Sequence, residues 1–338
     1  MKDIIFFLPK HTLNEATIYY VSVIEECFVN AGYVVHKTEK ISDLNKQKNI
    51  FVMSAKWCFI VKVLNPKAKI VTWFQGLGAE EALMTRNSMI RKRLWNCVEF
   101  FSLKYSWLNI YVSEKMHDYY RETYKIQDKN FFIMPCFNKE MNLDSFLYKM
   151  KYQNTSFVYA GGLDKWQCIE ETLELFGMIE SKLPAANLTL LTRDKEKALA
   201  IAKKFNVKNI FINFVTLDRL DCELQKYKYG FIIRKNHIVN NVSTPTKMNS
   251  YLANGIIPIY TDVVDDFNKN LKFDQYFLKL KNQESLNDWL EDFLNFELNT
   301  LKQNFEKDYL NQVSVVFNEY YSKSKYVSSL SELIKRIG

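Results

Sequence analysis

Short apolar runs alternate with longer amphipathic stretches along this 338-residue chain, and the whole pattern occurs twice. A strand buried on both faces reads as a near-continuous apolar run, whereas one covered on a single face alternates apolar with polar residues. The repeated pattern therefore predicts parallel sheets with crossover helices on both faces. In the first half, strands are expected at 3–8, 33–37, 49–53, 69–74, 109–112 and 131–134. Helical stretches are expected at 14–31, 80–103 and 114–124. In the first helix Ala16, Tyr19, Tyr20, Val23, Ile24, Cys27 and Ala31 recur at three- and four-residue steps, and Gly32 stands at the expected stop.

The pattern weakens into mixed polar residues over 138–154 and then restarts. Strands follow at 156–160, 187–191, 209–213, 229–234 and 256–260, with helices at 166–181, 194–205, from 217, and at 245–254. Helical sequence fills 285 to the end. The expected fold class is α/β, with two doubly wound Rossmann-like domains facing an interdomain cleft. Residues 1–145 form the first domain, 146–311 the second, and 312–338 a C-terminal helix packing back on the first. Ligands of such sheets lie beyond the carboxyl ends of the strands.

Composition narrows the function classes. Only 9 Gly and 6 Pro occur, so low-complexity and linker-rich architectures are excluded. The net charge of +8 favours anionic partners without choosing among them. No apolar run approaches the ~18 residues of a spanning helix, and the N-terminal apolar stretch at 4–8 is too short for a signal peptide. Cys27, Cys58, Cys97, Cys136, Cys168 and Cys222 show no metal or redox spacing, and His11, His36, His117 and His237 are equally scattered. Reduced thiols, a cytoplasmic protein and no metal site are expected.

The segment 229–260 carries the most chemistry. A strand ends at Arg234, a polar loop follows, and Thr244-Pro245-Thr246-Lys247 opens a helix. With Thr244 as N-cap and Pro245 at the first helical position, the amides of Thr246 and Lys247 point out of a positive helix end. Those amides, the Lys247 ammonium and the Arg234 fork suit a phosphate. An ordinary capped helix with solvated cations fits the same spacing. Gly161-Gly162 before Lys165 is a second anion candidate, and also a common strand-to-helix turn. In the first half, Gln75, Gly76, Glu80 and Glu81 lie where a strand gives way to a helix, and Asn14 follows the first strand. Glu80 and Glu81 read equally well as anions stabilising a helix N-terminus.

These motifs carry a resemblance. Gly230-Phe-Ile-Ile-Arg234, Asn241-Val-Ser-Thr-Pro245-Thr-Lys247 and Tyr251-Leu-Ala-Asn-Gly255 resemble the donor-binding segment of glycosyltransferase group 1 enzymes, family 4-like retaining transferases of GT-B fold. Tyr159-Ala-Gly-Gly162 with Lys165 is similar to that family's glycine turn and basic residue. Trp73-Phe-Gln-Gly76 with Glu80-Glu81, and Val112-Ser113 with Met116, are similar to segments of members in bacterial surface-polysaccharide assembly, of lipopolysaccharide or capsule.

The resemblance implies a metal-independent hexosyltransferase that moves a sugar from a nucleotide-sugar to a hydroxyl of a glycan or lipid-linked oligosaccharide. No separate cofactor is implied. Arg234, Lys165 and Lys247 would neutralise the leaving diphosphate. Gly161, Gly162, Thr246, Asn249 and Ser250 would line the donor, and Phe214 and Val215 would bracket its base. Asn14, Gln75, Gly76, Glu80 and Glu81 would lie on the acceptor and sugar side. The family's two glutamates, eight positions apart, are here Val242 and Ser250. The second normally holds the ribose, so a catalytically impaired nucleotide-sugar- or glycan-binding homologue is the alternative, with Asn249 as a substitute contact.

Arg86, Arg91, Lys92, Arg93 and Lys104 surround Met89, Leu94, Trp95, Phe100, Phe101 and Trp107. Basic residues among aromatics suit an anionic membrane, here the inner face of the cytoplasmic membrane. A core helix with a charged outer face is the competing reading. No nucleic-acid motif accompanies the basic charge, and no nucleic-acid partner is expected.

Overall fold

The computed structural model describes residues 2–14, 17–272, 276–300 and 305–338. Residues 15 and 16 of the first expected helix, and 301–304 of the C-terminal helical stretch, lie outside the described residues. The chain packs as two units. One comprises Met1–Asn138, Asn241–Thr244 and Ser322–Gly338, the other Lys139–Asn240 and Pro245–Tyr321. The first division falls at 138 where the sequence placed it at 145, and the final return begins at 322 rather than 312.

In the first unit β1 (Lys2–Phe7), α1 (Ile18–Asn30), β2 (Tyr33–Thr38), β3 (Asn49–Val52), α2 (Ala55–Leu64), β4 (Lys69–Phe74), α3 (Gly78–Arg86), α4 (Met89–Tyr105), β5 (Leu108–Tyr111), α5 (Glu114–Tyr124) and β6 (Phe131–Ile133) follow in order. All strands are parallel, in the order β2-β1-β3-β4-β5-β6. Ile4 to Phe7, Ile50 to Val52, Ile70 to Phe74 and Leu108 to Tyr111 are buried throughout, which is why these runs are central strands. Helix α2, unread in the sequence, begins where Ser54 Oγ accepts from the Trp57 N–H at 3.4 Å. It buries Cys58 and Val61 in the same core as Ile50 and Ile70. The expected helix at 80–103 is two helices, separated by Asn87 in the left-handed region at φ 47°.

The second unit contains β7 (Ser156–Ala160), α6 (Ile169–Lys182), β8 (Asn187–Leu191), α7 (Lys195–Lys204), β9 (Ile210–Asn213), α8 (Leu217–Leu224), β10 (Tyr229–Ile232) and the short α9 (Ile238–Asn241). After these come α10 (Thr246–Ala253), β11 (Ile257–Thr261), α11 (Asp265–Asn270), β12 (Leu278–Leu280), α12 (Leu286–Thr300) and α13 (Phe305–Glu319). Its parallel order is β12-β11-β10-β7-β8-β9. That order turns around between β7 and β10, as in dinucleotide-binding sheets, and ligands of such sheets sit at this switch point. The edge strand β12 was not anticipated, because three residues alternating buried and exposed carry almost no periodic signal.

The last helix, α14 (Lys323–Ile337), belongs to the first unit. Its Ser331 Oγ donates to the Cys27 carbonyl at 3.1 Å, and Lys323 pairs with Glu26 at 2.9 Å. Among the described residues no helix is long and apolar enough to cross a membrane.

Candidate functional site

At the switch point of the second sheet, β7 runs into Gly161 and Gly162, and β10 into Ile233 and Arg234. Gly161 has φ +142°, and a Cβ there would come within 2.8 Å of Lys247 Cε. Only glycine meets both demands. The Lys247 ammonium lies 3.9 Å from the Tyr159 ring centroid and donates to Gln167 Oε1 at 2.6 Å. Tyr159 in turn donates to the Gly162 carbonyl at 2.5 Å. Tyr251, on α10, accepts from the Ala160 N–H at 3.0 Å, and its ring fills the space a side chain at Gly230 would need. These bonds tie α10 to the glycine turn.

Arg234 is 3 % exposed. Its Nη1 donates to the Trp166 carbonyl at 2.9 Å, while its Nε is buried with no hydrogen-bond partner. Its backbone is fixed twice by Thr261, whose Oγ1 accepts from the Arg234 N–H at 2.9 Å and donates to its carbonyl at 2.8 Å. Among the described residues no carboxylate forms an ion pair with Arg234 or Lys247. Burial, and then the Arg234 charge, hold the Lys247 ammonium well below its ordinary range. Burial also lowers Arg234. Two like charges drawn from water, Arg234 fully and Lys247 in part, are costly unless an anion compensates them, and an unbonded guanidinium N–H is the donor such an anion takes.

Helix α10 starts one residue later than expected. Pro245, at φ −56° and ψ 123°, occupies the cap position, and no side chain caps the helix. Thr244 is not the cap, because its Oγ1 accepts from the Cys136 N–H at 2.9 Å. The half-buried Thr246 thus opens a helix whose first turn carries no side-chain cap, next to two cations. Lys165 opens the short 3-10 helix Lys165–Gln167 that follows the glycine turn; its side chain is exposed, and among the described residues no bond joins it to Arg234 or Lys247. Phe214 and Val215 follow β9 and are half-buried; the Arg193 guanidinium lies 5.4 Å from the Phe214 ring centroid.

Asn249 and Ser250 are buried. The Asn249 amide accepts from the Lys139 N–H at 3.0 Å and donates to the Lys139 carbonyl at 3.2 Å. It is occupied with backbone rather than poised as a substitute for the absent glutamate. The Ser250 carbonyl accepts from Asn254 Nδ2 at 3.0 Å.

In the first unit Gln75 Nε2 donates to the Met53 carbonyl at 2.9 Å, and the Gly76 carbonyl accepts from the Tyr120 hydroxyl at 2.9 Å. The Glu81 carboxylate folds back over Gly76, filling the space a Cβ would take. Glu80, expected on the sugar side, is nearly buried and pairs with Lys92 at 2.7 Å while accepting from Tyr119 at 2.6 Å. It joins α3 to α4 and α5, and Lys92 is correspondingly withdrawn from the basic face. Asn14 is exposed, its N–H donating to Thr17 Oγ1 at 2.9 Å at the entrance to α1.

Sequence reasoning missed Gln167, Trp166 and Thr261, which hold the two cations. None has a spacing signal, since each acts through a contact made across the sheet edge. Among the described residues no three or more His, Cys, Asp or Glu side chains gather as metal ligands do.

No protein-family model and no curated protein matches the chain. Solved structures do. Sucrose-phosphate synthase from Thermosynechococcus elongatus superposes with a TM-score of 0.73 at 11% identity over 100% of both chains. Anabaena HepE, in complex with UDP-glucose, gives 0.71 at 9% identity over 99% of this chain and 100% of that one. A mutant of S. aureus TarM, in complex with fondaparinux, α-GlcNAc-glycerol and UDP, gives 0.65 at 12% identity over 87% of this chain and 58% of that one. The fold of this chain is α/β, with two parallel six-stranded sheets and flanking helices, and it matches the GT-B fold of two Rossmann-like domains.

Proposed function

We propose that the chain is a retaining glycosyltransferase, moving a hexose from a nucleotide-sugar to a hydroxyl of a glycan or lipid-linked oligosaccharide in bacterial surface-polysaccharide synthesis. The observation that carries this reading is the buried Arg234 with the half-buried Lys247 beside the start of α10, which no side chain caps, at the switch point of the second sheet. The UDP and UDP-glucose held by structures of the same fold support it. In this reaction the bond from the sugar to the leaving diphosphate breaks as the acceptor oxygen bonds to the sugar. The acceptor proton passes to the diphosphate. Arg234 Nε, Lys247, Lys165 and the Thr246 amide stabilise that leaving group without a metal ion. Gly161 and Gly162 let it approach the backbone, and Phe214 and Val215 flank the base. Asn14, Gln75, Gly76 and Glu81 serve the acceptor side.

The finer reading places the protein in the cytoplasm, on the inner face of the membrane. Ile90 and Leu94 are 73 % and 63 % exposed, with Arg86, Arg91 and Arg93 exposed around them. The only acid on α4 is the buried Glu99. An anionic bilayer complements that face. Trp95, Phe101 and Trp107 are not part of it: Trp95 packs on Gly78, Phe101 on Phe59, and Trp107 beneath Lys69.

Calorimetric titration with UDP, GDP, CDP and ADP, then transfer assays with the sugar nucleotides of the base that binds, test the reading. One diphosphate should bind, with turnover unchanged in EDTA. No binding of any of the four would overturn it. The second reading, a binding homologue without turnover, is favoured by Ser250 in the glutamate position and by the engaged Asn249 amide. Tight binding with neither transfer nor donor hydrolysis would select it.

A further inference from the structure

Glu99 lies on α4 at 1 % exposure, against the start of α3 and against Tyr120 and Tyr124 of α5. Its Oε1 accepts from the Ala79 N–H at 3.2 Å and lies 3.3 Å from the Tyr120 hydroxyl. Its Oε2 lies 2.6 Å from the Tyr124 hydroxyl. Each hydroxyl also faces a second acceptor: Tyr120 the Gly76 carbonyl at 2.9 Å, and Tyr124 Asn96 Oδ1 at 3.0 Å. Four oxygen–oxygen contacts therefore share two hydroxyl protons. An ionised Glu99 leaves two of them without a proton. A proton on Oε2 completes the chain: Glu99 donates to Tyr124, Tyr124 to Asn96 Oδ1, and Tyr120 is left to the Gly76 carbonyl. Only the longest contact then lacks a proton, and Oε1 keeps the Ala79 N–H.

We infer that Glu99 is a positioning residue whose proton fastens the turn before α3. In the neutral state the Tyr120 hydroxyl holds the Gly76 carbonyl; ionisation draws that hydroxyl to the carboxylate and releases the turn. The surroundings agree with a neutral acid. Burial pushes the Glu99 carboxyl up to about 7, against the lowering effect of its hydrogen bonds. The groups around it are Glu80 and Glu81 on α3, Lys92 on its own helix, Tyr119, Tyr120 and Tyr124 on α5, and Tyr111 on β5. Lys92 is engaged by Glu80. The backbone amides of Gly78 and Ala79 at the start of α3, with the Tyr120 and Tyr124 hydroxyls, favour the carboxylate, and burial outweighs them. For the activity, the inference rests on the transferase reading, since Gly76 and Glu81 are its acceptor-side residues.

Carbon-detected NMR of glutamate carboxyl groups in the whole protein, with hydrogen exchange of the Gly76 and Leu77 amides, tests the inference without any turnover. One glutamate should titrate near neutrality and vanish from the spectrum in Glu99→Gln. Protection of the turn should fall several-fold in the wild type as pH rises through 7, after correction for intrinsic exchange. It should stay level in Glu99→Gln, whose amide mimics the neutral acid. Tyr120→Phe should leave the glutamate titration in place but expose the turn at every pH. A Glu99 midpoint in the usual carboxylate range, or turn protection in Tyr120→Phe that still follows pH, would overturn it. In the transfer assay the acceptor KM of the wild type should rise above pH 7, and that of Glu99→Gln should not. Loss of all transfer activity with the titration intact would count against the transferase reading alone.

Discussion

Arg234 and Lys247 illustrate a residue kept at a cost to the fold. Burial and mutual repulsion depress the Lys247 ammonium, so in the folded chain it holds its proton less firmly than in the unfolded one. The unfolded state then binds more protons below the ordinary lysine range, and stability rises with pH through the window between the two values. An anion between the cations reverses this. Lys247→Met should therefore raise the melting temperature of the ligand-free protein while abolishing diphosphate binding. In a transfer assay, Lys247→Ala and Arg234→Ala should each remove about 2–4 kcal/mol of transition-state stabilisation. Wild-type turnover in either variant would remove these residues from the phosphate site. Glu80 shows the opposite outcome at the same scale. Its carboxylate is consumed by Lys92 and Tyr119, and nothing in the spacing of an acidic pair announces partners on two later helices.

Among elements, α10 and α4 had different fates. The start of α10 was visible in sequence to within one residue, because a proline before a helix is a local conformational signal. Its mate, the glycine turn after β7, was equally visible, but the reason Gly161 is glycine was not. That reason is the Lys247 side chain lying against it. Gly161→Ala should cost about 1–3 kcal/mol of stability, measured by denaturant unfolding, and weaken diphosphate binding as Lys247 is displaced. An unchanged affinity would mean the turn does not set the lysine. Helix α4 reads as basic and aromatic, yet only its exposure pattern separates the covered Trp95 and Phe101 from the outward Ile90 and Leu94. Replacing Ile90 and Leu94 together with glutamate should abolish co-sedimentation with anionic vesicles and leave diphosphate affinity unaltered. Equal sedimentation of variant and wild type would sink the membrane face.

For the molecule as a whole, the chain visits its first unit, builds the second, and comes back with α14. Val327, Leu330 and Ile334 of that helix are buried, and Ser331 bonds to the end of α1. Deleting 323–338 should lower the melting temperature and expose apolar surface to a fluorescent dye. Diphosphate binding should persist, since every donor residue named here belongs to the second unit. A truncated protein as stable as the full chain would show that α14 contributes little. The sequence by itself determined the α/β alternation, the parallel central strands, the two-fold repeat of the pattern and the start of α10 to within one residue. Each of these is a property of neighbours along the chain, expressed as a period or a backbone preference. Only the tertiary structure decided the strand orders and their switch points, the return of α14 from 322, the engagement of Asn249 with Lys139, and the proton-sharing group around Glu99. Those arise where side chains remote in sequence compete for the same donors and the same dry space, and such competition has no periodicity to read.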